Sequence, residues 1–78
     1  MNNIAVAHEL DLKGLHCPMP LLKTKQALNG MESGQVVKVS ATDPGSERDF
    51  LTFSEQSGNL LLNFTEQDGI YTYWIQKK

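Results

Sequence analysis

The 78-residue chain lacks a second cysteine, a long hydrophobic run and a strong excess of either charge. Without a second thiol, Cys17 cannot form an intramolecular disulfide or complete a dithiol redox cycle, so its covalent chemistry must involve another molecule. The net charge of −2 argues against independent nucleic-acid binding, which depends on neutralising phosphates. His8, His16 and Cys17 do not make a recognisable zinc-binding set, and we expect no metal.

The length and composition predict one small domain over residues 1–78, in which a single core only just suffices and a cleft-bearing enzyme is not expected. With 40% hydrophobic and 21% charged residues, the chain should be globular and soluble, and too poor in apolar runs to cross a membrane. Residues 1–4 do not begin a secretory signal, and a lone cysteine excludes an internal disulfide framework. We therefore expect a cytoplasmic monomer.

Hydrophobic periodicity predicts a strand over residues 4–12, a helix over 18–29 and a strand over 35–42. The strand over residues 4–12 places Val6, His8, Leu10 and Leu12 on one face. The strand over residues 35–42 alternates apolar with polar residues, as in a sheet covered on one side only. Asn29 and Gly30 end the first helix. The apolar positions expected of the two helices are Leu21, Leu22, Ala27, Leu28 and Met31 in the first, and Phe50, Leu51 and Phe53 in the second.

The second half of the chain predicts a helix and a hairpin. Residues 43–46 (DPGS) indicate a turn, and Ser46 with Asp49 resembles a capping box at the start of the helix, which Ser57 and Gly58 end. Asp68-Gly69 joins strands over 59–67 and 70–77 and is the strongest hairpin signal in the chain. The predicted fold is α+β, a two-layer α/β sandwich of order β-α-β-α-β-β, with two helices packed on one face of a four-stranded mixed sheet.

The most informative motif is GLHCPMP at residues 14–20, where a strand gives way to a helix. Pro18 suits the first helical position, which would make Cys17 the N-cap and leave Met19 and Leu21 to supply free N–H groups. Their partial positive charge would stabilise a thiolate, so we predict a lowered pKa and a reactive thiol. Cysteine caps a helix poorly, and such local departures are expected at functional sites. The alternative is an inert, packed cysteine.

The run DLKGLHCPMPLL at residues 11–22 resembles the signature of the small sulfur-carrier proteins of the TusA/SirA/YedF group, which is Cys-Pro-x-Pro after a glycine. Residues 41–46 (ATDPGS), with Asp49 and Phe50, resemble the start of that group's second helix, so the resemblance covers almost the whole chain. It implies that Cys17 accepts sulfane sulfur as a persulfide and hands it on, as a sulfurtransferase-type relay and not a stand-alone enzyme. Many relatives have arginine where Lys13 stands, which leaves the cysteine motif intact.

The resemblance also implies partners. These are a sulfur-donor protein such as a cysteine desulfurase and a downstream acceptor protein serving tRNA thiolation, molybdenum-cofactor enzymes or sulfur oxidation, with no cofactor required and no direct contact with nucleic acid. Gly14, Pro18 and Pro20 would shape the turn and keep the sulfur exposed. The candidate partner contacts are Lys13, His16, Met19, Lys23 and Lys25. The alternative, from another class, is a small regulatory or interaction module whose cysteine packs or senses oxidation.

Four other side chains remain open to two interpretations. His16 either pairs with Cys17 or faces solvent, and the second is favoured because adjacent residues often point in different directions. His8 is either a hydrogen-bonded structural histidine or a ligand, and the first is favoured. Asp11 either braces the turn through nearby N–H groups or is plainly exposed. Trp74, if it lies on the open face of the sheet, is more often an isolated exposed residue than part of a docking patch.

Overall fold

The computed structural model of this protein describes residues 5–78 and has the predicted order of elements. The N-terminal strand is shorter than residues 4–12, and Ile4 lies outside the described residues. Among the described residues, no helix is long and apolar enough to cross a membrane. The elements are β1 His8–Leu12, α1 Met19–Asn29, β2 Val36–Ala41, α2 Ser46–Ser57, β3 Leu60–Gln67 and β4 Ile70–Gln76.

The four strands form one mixed sheet in the order β1-β2-β4-β3. β1 runs parallel to β2, with Leu12 opposite Ala41, and α1 supplies the crossover that a parallel pair requires. β4 is antiparallel to both of its neighbours. Because β1 and β2 are parallel, the chain leaves both strands at the same edge of the sheet. The predicted α+β sandwich is confirmed.

The core lies between the helices and one face of the two central strands. Val37, Val39, Tyr73 and Ile75 are fully buried, and Phe50 of α2 packs its ring edge-on against Tyr73 with centroids 4.3 Å apart. Burial raises the pKa of Tyr73 to about 12, and the Tyr73 hydroxyl lies 2.6 Å from Ser46 Oγ. Polar residues alternate with these apolar positions along β2, as predicted.

The helices bury narrower faces than the sequence predicted. In α1 the buried residues are Pro20, Thr24 and Leu28, while Leu22 is 43% exposed. Thr24 is buried, and its hydroxyl is hydrogen-bonded because Thr24 Oγ1 donates to the Pro20 carbonyl at 2.8 Å. In α2, Phe50 takes the inward position and the adjacent Leu51 is 47% exposed. Leu22 and Leu51, which were expected at apolar positions of their helices, are therefore exposed, since a helix with one covered side buries only a narrow stripe.

Two glycine signals are confirmed where the backbone needs them. Asp68 and Gly69 have φ values of 55° and 81°, as a two-residue hairpin turn with matching twist requires. Gly58 ends α2 in the left-handed region, and its N–H donates to the Ser54 carbonyl at 3.1 Å.

The structural role predicted for His8 is wrong, because His8 is exposed at the first position of an edge strand.

Candidate functional site

Cys17 lies in the loop between β1 and α1 and is exposed. The loop turns at Gly14, whose φ of +90° favours glycine. The Gly14 N–H donates to Thr42 Oγ1 at 3.0 Å, which ties the loop to the residue after β2, and the Leu15 N–H donates to the Leu12 carbonyl at 3.2 Å. The parallel pairing of β1 and β2 thus places the thiol beside the start of α2.

The start of α1 differs from the prediction. The helix begins at Met19, so Pro18 is the N-cap and not the first helical residue, and Cys17 precedes the cap. The Met19 N–H donates to the His16 carbonyl at 2.8 Å, which removes one of the two donors expected near the sulfur. No side chain caps this helix. The start of α1 therefore leaves fewer free N–H groups near the sulfur than the sequence predicted.

The partner of the thiol is a carboxylate on the other helix. Cys17 Sγ donates to Asp49 Oδ2 at 2.9 Å, across 32 positions of sequence. The capping box predicted for Ser46 and Asp49 is wrong, because Gly45 is the N-cap of α2 and the Ser46 hydroxyl pairs with Tyr73. Asp49, which is not used as a cap, is left to accept from the sulfur.

This contact reverses the predicted acidity of Cys17. The hydrogen bond to Asp49 favours the neutral thiol and raises the pKa of Cys17, with smaller contributions from desolvation and from the charges of Asp49 and Asp43. The Arg48 guanidinium opposes them and lowers this pKa. The prediction of a lowered pKa was wrong, because the tertiary fold brings the Asp49 carboxylate into hydrogen-bond contact with the sulfur.

Asp11 braces the turn next to the motif. Its Oδ1 accepts from the Lys13 N–H at 3.2 Å and from Lys13 Nζ at 2.9 Å, and these bonds lower the pKa of Asp11. The bracing interpretation of Asp11 is thus the correct one. His16 is exposed. The Cys17 thiol donates to Asp49 and not to the imidazole of His16.

A shallow groove of about 230 Å³ lies between the two helices on the Asp49 side. Lys25 borders it, with Nζ 5.4 Å from the Phe53 ring centroid. Lys23 is exposed but does not line the groove, and Met19 is 39% exposed next to the motif. The residues that line the groove are Leu21, Lys25, Arg48, Asp49, Thr52, Phe53 and Gln56.

Trp74 lies on the open face of the sheet, opposite Lys38 of β2. Lys38 Nζ is 5.7 Å from the Trp74 ring centroid, and Trp74 is half-buried. Within residues 5–78, no group of three or more histidine, cysteine, aspartate or glutamate side chains is arranged to hold a metal ion.

The family model described as Sulfurtransferase TusA matches residues 8–77, which include the whole sheet, both helices and the Cys17 loop. The chain belongs to the TusA family. It is 51% identical over 69 residues to the sulfur carrier protein TusA of Allochromatium vinosum, covering 88% of this chain and 91% of that relative. It is 48% identical over 68 residues to the putative sulfur carrier protein YrkI of Bacillus subtilis, covering 87% of this chain and 91% of that relative.

The fold of the TusA family is also seen in a solved structure. The SirA-like protein from Desulfitobacterium hafniense superposes with a TM-score of 0.77 at 28% identity, covering 88% of this chain and 95% of that chain. The resemblance inferred from residues 11–22 and 41–50 is therefore confirmed at the level of family and fold. Relatives named as sulfur carriers support a sulfur-carrier role for this chain.

Proposed function

We propose that this protein accepts sulfane sulfur on Cys17 as a persulfide and relays it to a partner protein. The observation that carries this proposal is the position of Cys17, the only cysteine of the chain, exposed in the matched region on the loop that leads into α1. An exposed thiol with no second cysteine can hold cargo but cannot discard it as an internal disulfide. Such a thiol suits the reducing cytoplasm.

The transfer exchanges one sulfur–sulfur bond for another. The Cys17 thiolate attacks the terminal sulfur of a donor persulfide, the bond between the two donor sulfurs breaks, and the donor leaves as a thiolate that takes up the proton lost by Cys17. The terminal sulfur moves at unchanged oxidation level, so no oxidant or reductant is needed. Covalent storage on Cys17 divides delivery into two such steps, with the second one directed to the acceptor.

Partner proteins would contact the surface around the thiol. Gly14, Pro18 and Pro20 shape the loop in this proposal, which gains support from the positive φ of Gly14 and from the burial of Pro20. The donor is a protein such as a cysteine desulfurase, and the acceptor serves tRNA thiolation, a molybdenum-cofactor enzyme or sulfur oxidation. The proposed contacts are Lys13, His16, Met19, Lys23 and Lys25, all of them exposed.

A redox-sensing module fits the site less well. Sensor cysteines are accessible thiols with a lowered pKa, because the thiolate is the form that is oxidised. The pKa of Cys17 is raised by its bond to Asp49, which slows reaction with dilute oxidants. Cys17 is nevertheless exposed, so a docked partner that favours the thiolate can reach it. The relay is therefore the function we favour.

The relay is tested by intact mass after incubation with a cysteine desulfurase and cysteine. The wild type should gain the mass of one sulfur atom, and a reductant should remove it, because an accessible thiol that loses its proton accepts sulfane sulfur. Cys17→Ser is the matched control and should gain nothing, while its circular dichroism spectrum matches the wild type. Equal labelling of both proteins, or none with any competent donor, would contradict the relay.

A further inference from the structure

We propose that Asp49 is a positioning residue that distinguishes empty from loaded Cys17, by holding the thiol when it is empty and repelling the sulfur cargo once it is bound. This inference rests on the persulfide role proposed above. It starts from the 2.9 Å contact between Cys17 Sγ and Asp49 Oδ2, which joins the β1–α1 loop to the first turn of α2. The proposed contacts from the sequence did not include Asp49.

In the empty state the contact needs a proton on the sulfur. An ionised carboxylate only accepts hydrogen bonds, so Asp49 can bond the neutral thiol and not the thiolate. The groups that act on the sulfur from the packed elements are Asp43 in the turn after β2 and Arg48 and Asp49 on α2. Oδ2 of Asp43 is buried without a hydrogen-bond partner among the described residues. Two carboxylates thus act on the sulfur against one guanidinium, and the neutral thiol is favoured.

In the loaded state the same contact cannot form. Cys17 Sγ then bonds to the terminal sulfur and no longer carries a proton. Persulfides are stronger acids than thiols, so the terminal sulfur is an anion at neutral pH, and like charges repel it from Asp49 and Asp43. Because Cys17 is exposed, the cargo has room to turn away from α2 towards an incoming acceptor. Repulsion would therefore present the sulfur for the second transfer.

Asp49 also provides a route for the proton during loading. The carboxylate accepts the proton as the sulfur attacks, and the proton then passes to the departing donor thiolate or to water. The sulfur–sulfur bond of the donor breaks as the bond on Cys17 forms, so atoms and electrons balance without another reactant. A docked donor that places positive charge beside the sulfur would stabilise the thiolate and favour this ionisation. Activation of the thiol would thus depend on the partner.

The test compares Asp49→Asn with the wild type in two reactions. Alkylation of the empty protein by iodoacetamide should be faster in Asp49→Asn at neutral pH, with a pH profile shifted to lower pH. Each tenfold gain in thiolate fraction should raise the rate about threefold, since nucleophilicity falls as acidity rises. After loading with sodium polysulfide, alkylation of the terminal sulfur by iodoacetamide, at a pH where the persulfide is fully ionised in both proteins, should be slower in Asp49→Asn, because an amide can hold the terminal sulfur against α2.

Glu47→Gln is the matched control, since Glu47 lies in the same first turn and the substitution removes the same charge. It should change both rates less than Asp49→Asn does. Asp49→Glu keeps the charge and should keep both rates nearer to the wild type. Circular dichroism and thermal unfolding confirm that each variant is folded. For Asp49→Asn, alkylation of the empty thiol that is no faster, alkylation of the loaded terminal sulfur that is no slower, or equal effects from Glu47→Gln would overturn the proposal.

These outcomes are separable from the relay itself. Alkylation of the empty thiol needs no sulfur donor, and polysulfide loads the thiol without a partner protein. If the desulfurase fails to load Cys17 while Asp49→Asn still shifts both rates in opposite directions, the relay fails and the role of Asp49 stands. If the desulfurase loads Cys17 normally and Asp49→Asn behaves as the wild type does, the role of Asp49 fails and the relay stands.

Discussion

The two helices begin in chemically opposite ways, and the site lies where these two beginnings meet. α1 starts after Cys17 with prolines at positions 18 and 20 and has no acidic residue in its first turn. α2 starts after Gly45 and carries Glu47 and Asp49 in its first turn, where carboxylates stabilise a helix through its dipole. Neither helix has a side-chain cap. The pKa of Cys17 is therefore raised mainly by Asp49 in the first turn of α2.

The largest expected effect tests how firmly α2 is anchored. Phe50→Ala should lower the free energy of unfolding by about 3–5 kcal/mol, because Phe50 is fully buried against Tyr73 and its removal leaves a cavity. Urea unfolding measures the loss. Leu51→Ala is the control on the same helix, and its effect should stay within about 0.5 kcal/mol because that side chain faces water. Similar losses in both variants would show that the inward face of α2 has been wrongly assigned.

An intermediate effect is expected at the first turn of α2. Ser46→Ala should cost about 1–3 kcal/mol, since it leaves the buried Tyr73 hydroxyl without its partner at 2.6 Å. The double variant with Tyr73→Phe should be closer to the wild type than the two single losses predict, because both polar groups are then removed together. Urea unfolding of the four proteins gives the coupling energy. Strictly additive losses would mean that Ser46 and Tyr73 do not act as a pair.

The smallest effect concerns the exposed side of α1. Charge reversal at Lys23 and Lys25 should slow sulfur transfer to or from a partner several-fold without changing the fold, because rim charges act mainly on encounter rate and register. Transfer is followed by intact mass, and folding by circular dichroism. Reversal at Lys77 and Lys78 is the matched control. These two residues follow β4, at the end of the sheet opposite Cys17. Equal slowing by both pairs would contradict docking at α1.

Much of the fold follows from local signals. The alternation over residues 35–42 predicted β2, and the left-handed glycines at 58 and 69 were predicted from their turn chemistry. Such patterns can be read because each reflects the conformational preference of its own few residues. The burial of Thr24 and the exposure of Leu22 were not predicted. Polarity alone does not reveal that the Thr24 hydroxyl is hydrogen-bonded within its own helix or that Leu22 faces water.

The site could be predicted only in part. The sequence identified Cys17 and its motif, because a lone cysteine before two prolines is a local feature that resembles one family. It assigned Asp49 to a capping box, since Asp49 lies three positions after a serine and 32 after the cysteine. No local rule connects residues so far apart. The sign of the pKa shift was wrong for the same reason.

The sequence by itself determined the order of the elements, the single thiol and the family, because periodicity, turn residues and a short motif are properties of neighbouring residues. The tertiary structure decided which strands are neighbours and which charge faces the sulfur. The parallel pairing of β1 with β2 brings the loop after one strand beside the helix after the other. The Cys17–Asp49 contact is the result, because hydrogen bonds and charges act through space and not along the chain.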